Sequence, residues 1–267
     1  MAKLQGKSTL ITGAAAGLGK GIAEVYAKYG ARLCLADTSP DVDATAQALR
    51  DTYGAEVITA EELHDPFLMQ DMQAAVARTL AQFGRLDIVC CNAGVARLAP
   101  FEAMSDELLD LHINVNIRGV WNTCQAAIAP MLSQGGGVIV IASSVTGDIV
   151  ADAGEAAYAL SKSALVGLTK ALAVEYAARN IRVNCTQLGY ARTPMVEKMA
   201  MESNPSDPES AIRAIASGVP MGRLADPREV GELFAFLGSD ESSYLTGSQI
   251  VIDGGSTLPE TVSMGTN

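Results

Sequence analysis

Seven short apolar runs alternate with longer helix-like segments along this chain of 267 residues, and no other feature restricts the fold so strongly. The strand-like runs are 8–12, 32–36, 55–59, 86–91, 138–142, 181–185 and 249–253. The helix-like segments between them fall at 20–29, 42–53, 66–83, 106–133 and 158–178. Strands separated by helical crossovers pair in parallel, and a parallel sheet must be covered on both faces. The expectation is an α/β fold in one domain, residues 1–267.

No Pro- or Ser-rich linker and no solenoid repeat interrupts this pattern. The alternation lapses at 193–222, where Met195, Met199, Met201 and Met221 flank a turn-rich stretch around Pro205 and Pro208. An irregular segment of that length inside a compact domain reads as a substrate lid or binding insert. Its methionines read equally as packing residues of short helices. Glycines, alanines and charges interrupt every apolar run well before the ~20 residues of a membrane span. The start lacks the apolar core of a secretory leader, so a soluble, cytoplasmic protein is expected. The net charge of −11, with no basic strip, argues against nucleic acid or an anionic membrane as partner, and the acidity reads as solubility. Cys34, Cys90, Cys91, Cys124 and Cys185 have apolar neighbours and no metal-ligand spacing, which suggests buried reduced thiols.

The first strand runs into Thr12-Gly13-Ala14-Ala15-Ala16-Gly17-Leu18-Gly19 and then a helix. Such a junction aims free backbone N–H groups and the positive end of a helix dipole at one spot, which suits a pyrophosphate. In that role Gly13 makes the turn, Gly17 lets the chain approach a ligand, and Gly19 allows close helix–strand packing. The spacing departs from Gly-x-Gly-x-x-Gly, and the loop by itself reads equally as a tight turn. Asp37 ends the second strand about twenty residues on, where a carboxylate can accept both ribose hydroxyls of an adenosine. A strand-end cap is its alternative role. Neutral Thr38 and the loop alanines leave nothing to neutralise a 2′-phosphate, so NAD is expected rather than NADP. Small residues at Asn92-Ala93-Gly94, after the fourth strand, suit close approach to the same ligand or a simple turn.

Tyr158 and Lys162 stand four apart and share a helix face. They follow the polar cluster Ala142-Ser143-Ser144-Val145-Thr146-Gly147 at the end of an apolar strand. A tyrosine with a pKa of about 10 is a poor base near neutrality, and an ammonium at ~4 Å would favour its phenolate by about 4 kcal/mol at an effective dielectric near 20. Lys162 is therefore expected to tune Tyr158 as an acid–base group. Ser144 can steady a substrate oxygen, while Ser143 reads as a strand cap. Asn116 sits in an otherwise apolar helix, where a buried amide must be satisfied, through a backbone carbonyl and a water leading towards Lys162 or as ordinary helix polarity.

Together, Thr12-Gly13-x-x-x-Gly17-x-Gly19, Asn92-Ala93-Gly94, Asn116, Ser144, Tyr158-x-x-x-Lys162 and Gly189-x-x-x-Thr193 make the chain resemble the short-chain dehydrogenase/reductase family over essentially its whole length, within a bacterial branch whose substrates are mostly unassigned. The resemblance implies a Rossmann-type, doubly wound sheet of about seven strands ordered 3-2-1-4-5-6-7. It implies a catalytic set of Asn116, Ser144, Tyr158 and Lys162. For the cofactor it implies contacts from Gly13, Gly17, Leu18, Gly19, Asp37, Glu62, Leu63, Asn92, Ala93, Gly94, Tyr158, Lys162, Gly189 and Thr193. A homotetramer is implied by the same likeness. The chain departs from the family pattern at Leu188, in place of proline, at Cys91, in place of asparagine, and at Glu62, where an aspartate often meets the adenine.

The reaction expected is reversible interconversion of a secondary alcohol and a ketone with NAD, with Tyr158 as acid–base and no metal, since His64 and His112 lack ligand spacing. The alternatives are an NADP-dependent carbonyl reductase, a nucleotide-sugar epimerase or dehydratase, and a nucleotide-binding regulator without turnover. Chain length and glycine spacing disfavour the epimerases, and the complete set of four disfavours the regulator. The pocket is expected to be bordered by Arg97, Asp148, Glu155, Tyr190, Met195 and Met199, which suits a small polyol, a ketone or a cyclic alcohol.

Overall fold

The computed structural model describes residues 3–60, 63, 65 and 67–259. In chain order the first half comprises β1 (Ser8–Thr12), α1 (Gly17–Lys28), β2 (Arg32–Ala36), α2 (Asp41–Tyr53), β3 (Val57–Thr59), α3 (Met69–Phe83), β4 (Ile88–Cys91) and α4 (Asp106–His112). A π-helical turn (Ile113–Gly119) leads into α5 (Val120–Ser133), followed by β5 (Gly137–Ser144), the short irregular turn α6 (Val145–Asp148), α7 (Ala156–Tyr176) and β6 (Ile181–Leu188). Three helices, α8 (Pro194–Ser203), α9 (Pro208–Ser217) and α10 (Pro227–Gly238), precede β7 (Gln249–Ile252).

The described residues form one parallel sheet ordered β3-β2-β1-β4-β5-β6-β7. This is the doubly wound arrangement expected, and strand order reverses between β1 and β4. Because side chains alternate along a strand, successive residues feed two separate cores. Ile11, Leu33, Leu35 and Val140 join Ile22, Tyr26, Leu49 and Phe234 from α1, α2 and α10. Leu10, Cys34, Val89, Ile139 and Ile141 join Val76, Ile128 and Leu165 from α3, α5 and α7. Both sheet faces are thus covered. The Tyr26 hydroxyl, fully buried, is satisfied by donating to the Phe234 carbonyl at 2.8 Å, which ties α1 to α10.

Several boundaries differ from the sequence reading. β5 and β6 run on through Ser143–Ser144 and Thr186–Leu188, because ladder pairing Ser143 to Gln187 and Ser144 to Leu188 satisfies the backbone whatever the side-chain polarity. The segment 193–222 is not irregular: α8 and α9 each begin with a side-chain cap followed by proline, Thr193-Pro194 and Asp207-Pro208. Helix α10 lies outside every helical segment expected. Its start is a capping box in which Asp226 and Glu229 satisfy each other's backbone, again with proline at the first turn. The long helix expected over 106–133 is interrupted by the π-helical turn that contains Asn116. All five cysteines are free and buried, and no described helix is long and apolar enough to cross a membrane.

Candidate active site

The carboxyl ends of β1, β4, β5 and β6 open on one cavity of about 520 Å³ at the reversal of strand order. Two loops form its floor and are stitched together. Asn92 Nδ2 donates to the carbonyls of Thr12 and Gly13, both at 3.1 Å, and Thr12 Oγ1 accepts the N–H groups of Asn92 (3.1 Å) and Ala93 (3.2 Å). Only glycine fits at Gly13, where φ is +68° and a Cβ would lie 2.8 Å from Ala93 Cα. At Gly19 a Cβ would run into the Gly13 carbonyl oxygen, so this residue packs behind the loop and does not line the cavity. The residue capping α1, Ala16, has no side-chain acceptor. The N–H groups of the helix's first turn therefore face the cavity uncapped, beside Gly17 and Leu18.

Asp37 lines the adjoining wall. Its carboxylate accepts the N–H of Ala15 and that of Ser39, each at 2.9 Å. Thr38, Ser39 and Asp41 continue this wall, and among the described residues that line the cavity Lys162 is the only lysine or arginine.

Ser144, Tyr158 and Lys162 line the same cavity. Ser144, at the end of β5, accepts the Thr146 N–H at 3.1 Å and donates to the Leu188 carbonyl at 3.4 Å. Lys162 is buried, its Nζ donating to the Ala142 carbonyl at 2.9 Å and lying 5.7 Å from the centre of the Tyr158 ring. Burial lowers the Lys162 pKa to about 8. Tyr158 keeps an edge towards the cavity, yet desolvation of its hydroxyl raises the phenol pKa. The Ser144 hydroxyl opposes this rise, while the Glu155 carboxylate and Tyr190 add to it. The expected lowering by Lys162 is not among the influences on the phenol, and desolvation dominates.

Asn116 is fully buried and stands behind the cavity wall. Its Oδ1 accepts the Val95 N–H at 2.8 Å, and its Nδ2 donates to the Val95 carbonyl and Ser161 Oγ, both at 2.9 Å. The amide is thus satisfied by two backbone groups and a hydroxyl, and through them it fixes Val95, which lines the cavity. A Cβ on Gly94 would lie 3.3 Å from Asn116 Oδ1 and 3.4 Å from Lys162 Nζ, so these three residues converge.

Leu63, Asn92, Ala93, Gly94, Gly189 and Thr193 also border the cavity, Thr193 while capping α8 through the Val196 N–H. Glu62 and His64 lie outside the described residues. Of the residues expected around a substrate, Glu155, Tyr190, Met195 and Met199 line the cavity and Arg97 and Asp148 do not. Asp148 is turned to Gln187, whose Nε2 donates to it at 2.7 Å, and exposed Arg97 bonds the Ala96 carbonyl at 2.8 Å. His112 is buried, accepting the Arg97 N–H at Nε2 (3.1 Å), with Nδ1 2.7 Å from the Leu108 carbonyl and its ring edge-on to Tyr158. Sequence reasoning missed Thr12 and Val95 as shapers of the site. A hydroxyl inside an apolar strand was the available signal for Thr12.

This arrangement has close counterparts among known proteins. The family described as Enoyl-(Acyl carrier protein) reductase matches residues 13–257. Oxidoreductase UcpA of Escherichia coli K12 is 55% identical over 265 residues, covering 99% of this chain and 100% of that protein. Among solved structures, levodione reductase superposes with a TM-score of 0.90 at 33% identity, covering 95% of this chain and 98% of the other. L-Sorbose reductase from Gluconobacter frateurii, in complex with NADPH and L-sorbose, superposes with a TM-score of 0.91 at 29% identity, covering 97% and 100%. The chain belongs to the short-chain dehydrogenase/reductase family. It is an oxidoreductase of that family.

Proposed function

We propose that this protein interconverts a secondary alcohol and a ketone with NAD(H), with Tyr158 as the general acid and base. The observation that carries the reading is that Ser144, Tyr158 and Lys162 share one cavity with the glycine loop. The residues fit a dinucleotide. The uncapped amides of α1 suit a pyrophosphate, the two floor loops leave no room for a Cβ at Gly13, and Asp37 presents a carboxylate where an adenosine ribose would lie. When bound, the nicotinamide supplies hydride to a carbonyl carbon or accepts it from a carbinol carbon.

In reduction the Tyr158 phenol donates its proton to the carbonyl oxygen, while the Ser144 hydroxyl hydrogen-bonds the same oxygen and stabilises negative charge there. In oxidation the Tyr158 phenolate takes the hydroxyl proton. Lys162, cationic below about pH 8, stabilises that phenolate and offers donors to ribose hydroxyls. Asn116 holds Val95 and so the wall beside Lys162. The α8–α9 segment, whose Met195, Val196 and Met199 line the cavity, acts as the substrate lid. Lys162 being the only lysine or arginine among the described residues that line the cavity favours NAD, since a 2′-phosphate would meet Asp37 unneutralised. NADP(H) is the second reading, favoured by the NADPH bound to L-sorbose reductase. Exposed Trp121 on α5, and Leu160 and Val174 on α7, suit a homotetramer, and we place the protein in the cytoplasm.

Tyr158→Phe should bind NADH as before and lose most turnover across a panel of ketones and alcohols; unchanged turnover refutes the assignment. Fluorescence titration with NADH and NADPH tests the cofactor: tighter NADPH binding overturns the role given to Asp37.

A further inference from the structure

Glu155 is a half-buried carboxylate on the wall that also carries Tyr158, Tyr190, Met195 and Met199. No cation pairs with it among the described residues. Its contacts are a long hydrogen bond from the Asp152 N–H, at 3.4 Å, and the Thr146 hydroxyl. Neither satisfies a carboxylate, which has about four acceptor positions. Leu98, Val145, Met195 and Met199 add apolar surface to the same cavity. The remaining acceptor positions of Glu155 are open to solvent and to whatever binds in the cavity.

Glu155 is the residue that precedes α7, three before Tyr158, and both line the same cavity. A substrate oxygen on Tyr158 and a second donor on Glu155 can therefore belong to one small molecule. We propose that Glu155 selects substrates bearing a second hydroxyl beside the reacting carbon, α-hydroxy ketones and vicinal diols, and rejects carboxylate-bearing analogues. This inference rests on the alcohol–ketone reading of the same site. The second hydroxyl donates to the Glu155 carboxylate, whereas a substrate carboxylate would face like charge from Glu155 and from Asp152, which stands near it.

The test compares kcat/KM with NADH for 3-hydroxybutan-2-one, butan-2-one and acetoacetate, in the natural protein and in Glu155→Gln and Glu155→Asp. One hydrogen bond to a charged group corresponds to a preference for the hydroxy ketone over butan-2-one of about ten- to a hundredfold. Glu155→Gln should reduce that preference about tenfold and raise acetoacetate relative to butan-2-one by about tenfold or more. Glu155→Asp should restore most of the preference. An unchanged preference in Glu155→Gln, or a natural protein that favours acetoacetate or does not discriminate, overturns the inference while leaving the parent reading intact. Failure to reduce any carbonyl compound in a wider panel, with either dinucleotide, overturns both.

Discussion

Asn116 and Asn114 sit two residues apart in one apolar segment, and the structure separates their roles sharply enough to predict a large difference on substitution. Asn116→Ala removes three hydrogen bonds of 2.8–2.9 Å at a fully buried position, two of them to the backbone of Val95. Each bond contributes about 1 kcal/mol net, and a buried group left unpaired adds about 1–3 kcal/mol, so the loss should be about 2–4 kcal/mol after partial rehydration of Val95. For a chain of this size that corresponds to a fall in Tm of roughly 5–10 °C. Asn114→Ala, at a half-buried position, should stay within about 1 kcal/mol. Asn116→Asp keeps the acceptor for the Val95 N–H, loses both donors and sets a buried carboxylate against the Val95 carbonyl, so it should be at least as damaging as alanine. Urea and thermal unfolding followed by circular dichroism, at one fixed protein concentration, measure all three variants. If Asn116→Ala falls within about 1 kcal/mol of Asn114→Ala, the bonding described here does not hold the wall of the cavity.

Because burial raises the Tyr158 phenol and oxidation needs its base form, alcohol oxidation should accelerate with pH through the alkaline range while ketone reduction declines. Lys162→Met should lower alcohol oxidation most below about pH 8, where the lysine is cationic and favours the phenolate; a profile that coincides with that of the natural protein would contradict this. Burial pushes the Cys34 thiol up to about 11 and the Cys90 thiol up to about 12, so a thiol-reactive disulfide reagent at pH 8 should find almost none of the five cysteines in folded protein and all of them after denaturation. Rapid labelling of two or more in the folded state would oppose that burial. Gly19→Ala should weaken NADH binding more than tenfold, because its Cβ meets the Gly13 carbonyl, whereas Gly167→Ala, with open space around it, should be neutral or stabilising by about 0.5–1 kcal/mol. Equal effects in a fluorescence titration would remove the steric argument.

What could be read from the chain was whatever depends on local pattern. The first two strands were legible to the residue because apolar runs end there at the glycine loop and at Asp37. Helix α10 was equally legible in principle, since Asp226-Pro227-Arg228-Glu229 is a capping signature, but the search for apolar periodicity alone passed over it. The bounds of β5 and β6 were not legible: Ser144 and Gln187 belong to the sheet through ladder pairing with a strand some forty residues away. Within the candidate site, the positions of Tyr158, Lys162 and Ser144 in one cavity were anticipated, whereas the direction of the Tyr158 shift was not. That direction depends on desolvation by the surrounding walls, a quantity without a one-dimensional trace. Asp148 was misassigned for a similar reason, its partner Gln187 lying outside the cavity lining, and Arg97 is exposed instead of lining the cavity.

The floor of the cavity joins residues near position 12 to others near 92, and its walls draw on positions beyond 140 and 190. None of these meets another through local contacts; they converge only once distant strands have docked side by side. A growing chain would therefore stay ligand-blind until late in synthesis, when β6 settles beside β5. A dinucleotide that recognises only the finished rim acts as a mass-action brace on the native state, so the protein's persistence at a given temperature would follow the supply of its own cofactor.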